Sequence, residues 1–208
     1  MLCVALLAVT AAPLTANAST VYIIRHGEKT FHGGCLDIQG QERANNLMNL
    51  FNSSSGRFST PTALFANQYN YLPECERCWL TVQPIAQRNR LAVNFDEGYQ
   101  PWVGGNAKAA AAIVSAAKTN SVILVAWEHY NIQFLTEDLG VSKSKIPTWG
   151  SEDFDTVYVL QLDASSGALI SFSTDAQKFV PQSTTCPPVY VPPPGQPGDV
   201  ADGEIVES

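Results

Sequence analysis

Short apolar runs alternate along this chain with longer stretches of helical period, and that alternation sets the expected fold. Val21-Tyr22-Ile23-Ile24 is a β-branched and aromatic run of strand length that ends abruptly at Arg25. Leu36, Leu47, Leu50 and Phe51 recur at helical intervals within residues 36–52, which predicts an amphipathic helix capped near Asp37. ALFA (63–66) reads as a second short strand. CERCWLTVQPIAQRNRL (75–91) reads as helical in its middle, with Pro84 expected to kink or interrupt it, and LAVNF (91–95) as a further strand. The alanine-rich stretch 106–118 has strong helix propensity, and SVILVAW (121–127) is apolar enough for a strand buried on both faces. Residues 131–140 predict a short helix closed by Gly140; 156–163 and 168–173, joined around Ser165-Ser166-Gly167, predict a hairpin. Strands alternating with helices give an α/β fold, a three-layer α/β/α sandwich with a mostly parallel central sheet. There is no internal repeat.

The two ends depart from this pattern. Residues 1–18 form an apolar run ending in Ala16-Asn17-Ala18, read as a signal peptide, which implies a secreted, extracellular protein. From about Pro181 the chain is proline-rich and acidic, an extended or disordered tail over 181–208. The remaining 19–180 is the length of one domain. In the whole chain 45% of residues are hydrophobic and only 15% charged, a globular composition. The formal net charge of −7, with no basic tract, argues against nucleic acid or an anionic membrane as partner, so attraction of an anionic substrate must be local. Without Cys3, the cysteines Cys35, Cys75, Cys78 and Cys186 suggest two disulfides with three possible pairings; a redox pair or half a zinc site at Cys75-x-x-Cys78 lacks a matching second half. Asn52-Ser53-Ser54 is a glycosylation sequon. Trp79, Trp102, Trp127 and Trp149 read as core or rim packing.

The chemistry concentrates at strand ends. Arg25-His26-Gly27 delivers a phosphate-binding guanidinium and a nucleophilic imidazole to the carboxyl end of the first strand, where open α/β sheets bind ligands. His129 follows the strand 121–127 in the same way, ahead of a helix whose start near Asn131 would offer backbone N–H groups to an anion. Arg77 and Thr81 share one helix face. In this order the four parts resemble the histidine phosphatase superfamily, also called phosphoglycerate mutase-like. Its Arg-His-Gly motif corresponds to Arg25-His26-Gly27 and its Arg-x-x-x-Thr to Arg77 and Thr81. Its second histidine corresponds to His129, and its Leu-x-x-x-Gly-x-x-Arg-Ala helix opening to residues 36–44. The resemblance spans roughly residues 20–163, and VILVAWEH with DFDTVYVL look closest to small secreted members.

That resemblance implies a phosphomonoesterase working through a phosphohistidine on His26. Arg25, Arg77 and His129 would hold the phosphoryl oxygens, with no cofactor and no metal required. It leaves the general acid open: Asp96 and Glu97 occupy the stretch one branch of the family uses, Glu128 precedes His129, and Tyr130 stands where another branch has Asp. Glu28 and Lys29 read as solvated rim residues. A metal centre from His26, Glu28, His32, Glu128 and His129 is chemically possible, but Arg25 and Arg77 would repel a cation. The expected partner is a small phosphorylated substrate bound by a monomer, with selectivity in loops 30–36, 67–75 and 96–106. A non-catalytic phosphate-ester-binding protein of the same fold is the alternative, and mutase activity ranks lower.

Overall fold

The computed structural model describes residues 18–30, 35–68, 76–96 and 105–182. The expected leader up to residue 17 and the tail from 183 therefore lie outside the described residues. Strand β1 (Ala18–Arg25) opens the domain, followed by helix α1 (Ile38–Leu50), β2 (Ala63–Ala66) and α2 (Arg77–Asn89). Then come β3 (Val93–Asn94), α3 (Gly105–Ala117), β4 (Val122–Trp127), α4 (His129–Asp138), β5 (Thr156–Asp163) and β6 (Leu169–Ala176). The expected cap is present: the Asp37 side chain accepts from the Gly40 N–H at 2.9 Å. Pro84 lies inside α2, which runs through it as one helix, so no interruption occurs there. β3 is reduced to two residues at the sheet edge.

The six strands form one sheet in the order β3-β2-β4-β1-β5-β6. β3, β2, β4 and β1 are mutually parallel, while β5 runs antiparallel to β1 and β6 antiparallel to β5. The sheet is thus mixed: a parallel half carrying the crossover helices and an antiparallel hairpin closing one side. A two-residue period along each strand sends alternate side chains to opposite faces. Val21 and Ile23 join Ile123, Val125, Trp127, Tyr158 and Leu160 beneath α3 and α4. Tyr22 and Ile24 join Leu64, Leu124 and Val157 beneath α1 and α2. Two buried apolar layers sandwich the sheet, as a three-layer fold requires.

Parallel pairing puts the carboxyl ends of β1, β2 and β4 on one edge. Arg25 pairs with Trp127, and the His26 N–H donates to the Trp127 carbonyl at 3.2 Å. Because β5 is antiparallel, its amino end lies at that same edge (Ile24 pairs with Val157), so the loop 147–155 also arrives there. Among the described residues no helix is long and apolar enough to cross a membrane. Cys78 is a buried thiol within α2, which removes it from the expected two disulfides, and Cys75 and Cys186 lie outside the described residues.

Candidate active site

The loop that leaves β1 is pinned on two sides. The Gly27 N–H donates to Thr81 Oγ1 at 2.9 Å, and the Thr81 hydroxyl donates to the Arg77 carbonyl at 2.7 Å. Thr81 therefore ties the first turn of α2 to the residue after His26, which gives the Arg-x-x-x-Thr spacing a mechanical role. On the other side Gly27 meets Gly40 of α1 so closely that a Cβ on Gly27 would lie 2.8 Å from the Gly40 Cα, and one on Gly40 would lie 2.1 Å from the Glu28 carbonyl oxygen. Only two glycines allow that approach. Glu28 is not solvated. Arg43 of α1 grips its carboxylate through Nε (2.9 and 3.1 Å) and Nη2 (2.6 Å), and reaches Gln177 Oε1 at 3.3 Å. Lys29 is exposed, as expected.

His26 is fully buried, and its Nδ1 lies 2.7 Å from the Gly27 carbonyl oxygen. A carbonyl only accepts, so Nδ1 carries the proton and Nε2 keeps its lone pair. Nε2 is buried and has no hydrogen-bond partner. Burial pushes the imidazole well below its ordinary value of 6.5, and Arg77, Arg25 and neighbouring His129 push in the same direction against the Gly27 carbonyl. The ring thus stays an unprotonated nucleophile in a cationic pocket. Its edge meets Phe154, with centroids 6.1 Å apart, and His129, 6.2 Å apart.

Arg25 is held by the loop ahead of β5. Its Nη1 donates to the carbonyls of Gly150 (3.5 Å), Ser151 and Asp153 (3.4 Å), and its guanidinium stacks 3.9 Å above the Phe154 ring. With that corner anchored, the buried Nε remains without a partner. Asp153 shapes the loop by accepting from the N–H groups of Asp155 and Thr156 and from the Thr156 hydroxyl. Phe154 and this carbonyl cradle carried no signal in the sequence, because they act on Arg25 from 125 to 129 residues away.

His129 begins α4 instead of preceding it. Glu128 is the N-cap, and its Oε2 accepts the Tyr130 N–H at 2.7 Å. One amide expected to serve an anion is therefore already occupied. Glu128 Oε1 lies 2.7 Å from His129 Nδ1. Burial raises the Glu128 carboxyl, but His129, the Tyr130 N–H and Arg77 outweigh it and hold the group below its ordinary range. A carboxylate so stabilised is a poor proton donor and a good orienting partner for His129.

The structure brings together Arg25, His26, Arg77, Glu128 and His129. Asp96 does not join them through any hydrogen bond or ion pair; it is exposed just past β3, three strands from β1, and Glu97 lies outside the described residues. Glu28 is drawn out of the five-residue metal set by its ion pair with Arg43, and His32 lies outside the described residues. One ligand atom each from His26, Glu128 and His129 does cluster within 4.8 Å, but the charges of Arg25 and Arg77 act on the same groups.

No family model and no curated protein matches the chain. Solved structures do. A protein provisionally named phosphohistidine phosphatase SixA from Nakamurella multipartitia is 13% identical, with a TM-score of 0.47 over 75% of this chain and 95% of that one. The similarly named protein from Agrobacterium tumefaciens is 15% identical, with a TM-score of 0.47 over 74% and 97%. A phosphoserine phosphatase mutant from Entamoeba histolytica, solved with phosphoserine, is 13% identical, with a TM-score of 0.47 over 74% and 96%. Likenesses of this degree leave the chemistry to be read from the side chains of this chain.

Proposed function

We propose that this protein is a secreted, monomeric phosphomonoesterase that acts through a phosphohistidine on His26. One observation carries the reading: His26 Nε2 is buried, deprotonated and without a partner, among positive charges. In the proposed reaction Nε2 attacks phosphorus, the phosphorus–ester oxygen bond breaks and the leaving oxygen takes up a proton from solvent water. Water then attacks the phosphohistidine and releases phosphate. Arg25, Arg77 and His129 offset the charge of the phosphoryl oxygens as it grows, a role that needs no metal. A phosphate-ester-binding protein without turnover is the second reading, because among the described candidates neither Asp96 nor Glu128 is set to donate a proton, Glu97 lying outside the described residues.

The test is phosphate release from a panel of phosphomonoesters by the mature protein, with and without chelator, alongside trapping of labelled phosphoenzyme by an alkaline detergent quench. The proposal expects acid-labile label on the wild type, none on His26→Ala, and no effect of chelator. Turnover by His26→Ala at the wild-type rate would sink the mechanism. Binding of esters without release would leave the second reading.

A further inference from the structure

β6 runs antiparallel to β5, and Ala176 pairs with Thr156, so the carboxyl end of β6 arrives at the edge where the site lies. The next residue, Gln177, is 1% exposed. Its Nε2 donates to the Phe154 carbonyl at 2.8 Å, and its Oε1 accepts from Arg43 Nη1 at 3.3 Å. A carbonyl only accepts and a guanidinium only donates, so the orientation of this amide is forced. The Gln177 N–H donates to the Asp155 carbonyl at 2.7 Å, which fixes the residue against the loop ahead of β5. The segment beyond is tied to the same groups. The Phe179 N–H donates to Asp155 Oδ1 at 3.1 Å, and the Arg43 guanidinium lies 5.4 Å from the Phe179 ring.

Each partner of the amide holds part of the site. The Phe154 ring lies 3.9 Å from the Arg25 guanidinium and meets the His26 ring edge-on at 6.1 Å. Arg43 grips Glu28, two residues after His26. One buried amide thus joins the loop that carries Phe154 to the helix that holds the loop after β1. We propose that Gln177 is a positioning residue that sets the Phe154 ring against Arg25 and His26, and through it the guanidinium that meets the phosphoryl group. This rests on the reading that the phosphoryl group sits at His26. A guanidinium displaced by a fraction of its contact distance still attracts an anion, but it matches the charge of the transition state less well. The loss should therefore fall on kcat and on affinity for orthovanadate, which adopts the five-coordinate shape of that state. KM and affinity for inorganic phosphate should change less.

The experiment compares two variants. Gln177→Met keeps the length and loses both polar groups; Gln177→Glu, as a carboxylate, keeps an acceptor for Arg43 and loses the donor to Phe154. Both should lower kcat about tenfold and vanadate affinity in proportion, with KM and phosphate affinity within about threefold of wild type. Phe154→Leu should lower kcat by a similar factor, and adding Gln177→Met to it should cost less than about a further twofold. Leu162→Ala, a buried position at the opposite end of β5, should lower the Tm and leave kcat unchanged well below it. Wild-type kcat in a folded Gln177 variant or in Phe154→Leu would overturn the proposal. So would equal losses for vanadate and phosphate, or losses that multiply in the double variant. If Gln177→Met does not fold, Gln177→Glu decides; failure of both to fold makes the role structural and overturns the proposal. If the wild type releases no phosphate, the mechanism above fails separately, and calorimetry decides the positioning role. Vanadate must then bind Gln177→Glu about tenfold more weakly than wild type, and equal affinities, or no binding to either, overturn it.

Discussion

Replacing Thr81 by Val removes one oxygen and little volume, yet it should be among the more damaging single changes near the site. Thr81 is fully buried. Its Oγ1 accepts the Gly27 N–H at 2.9 Å and donates to the Arg77 carbonyl at 2.7 Å. The Arg77 carbonyl loses little, because it also lies within the backbone ladder of α2. The Gly27 N–H loses its acceptor in a place where water does not substitute, and an orphaned buried donor costs about 1–3 kcal/mol. For a domain of this size that is a Tm lower by roughly 5 °C. The functional loss should exceed the stability loss, because the same bond fixes the residue next to His26. Thermal unfolding by circular dichroism gives the first quantity, and phosphate release measured at least 15 °C below the variant's Tm gives the second. Thr81→Ser keeps the hydroxyl and should recover most of both. A Thr81→Val protein that melts within 1 °C of wild type and turns over within twofold would refute the claim that this threonine holds the catalytic loop.

Other perturbations follow from the same geometry. The folded-state value of His26 lies below 6.5, so the unfolded chain binds a proton there before the folded one does. Its contribution to stability is present above pH 6.5 and is lost as pH falls towards the folded value. The acid limb of kcat/KM should accordingly lie well below 6.5, and a limb centred at 6.5 in a pH–rate profile would contradict the burial. Gly40→Ala would drive a methyl to 2.1 Å from the Glu28 carbonyl; a loss of about 3 kcal/mol or failure to accumulate as soluble protein is expected, and a wild-type Tm would disprove the contact. Arg43→Met strands the Glu28 carboxylate, whose side chain is only 14% exposed, and should cost about 3 kcal/mol in urea unfolding. Glu128→Gln keeps an acceptor for the Tyr130 N–H but removes the charge facing His129. Steady-state kinetics should then show kcat/KM roughly tenfold lower with an unchanged fold.

Local sequence settled the parts that depend on near neighbours. The apolar run that ends in Arg25-His26, the Asp37 cap, the alanine helix and the hairpin around Gly167 were all legible, because periodicity and capping act within a few residues. So was the shared carboxyl edge that carries Arg25, His26 and His129, since alternating strands and helices imply it, whereas Arg77 was expected there only from the family resemblance. What tertiary structure alone decided is what reaches that edge from elsewhere. Antiparallel β5 brings Phe154 and three loop carbonyls onto Arg25. Arg43 turns Glu28 from a solvated rim residue into half of a buried ion pair. Glu128 gives up its candidacy as acid because α4 begins one residue after it and claims its oxygens. These contacts join segments with no periodic relation, so only close packing determines which groups they leave occupied and which they leave open.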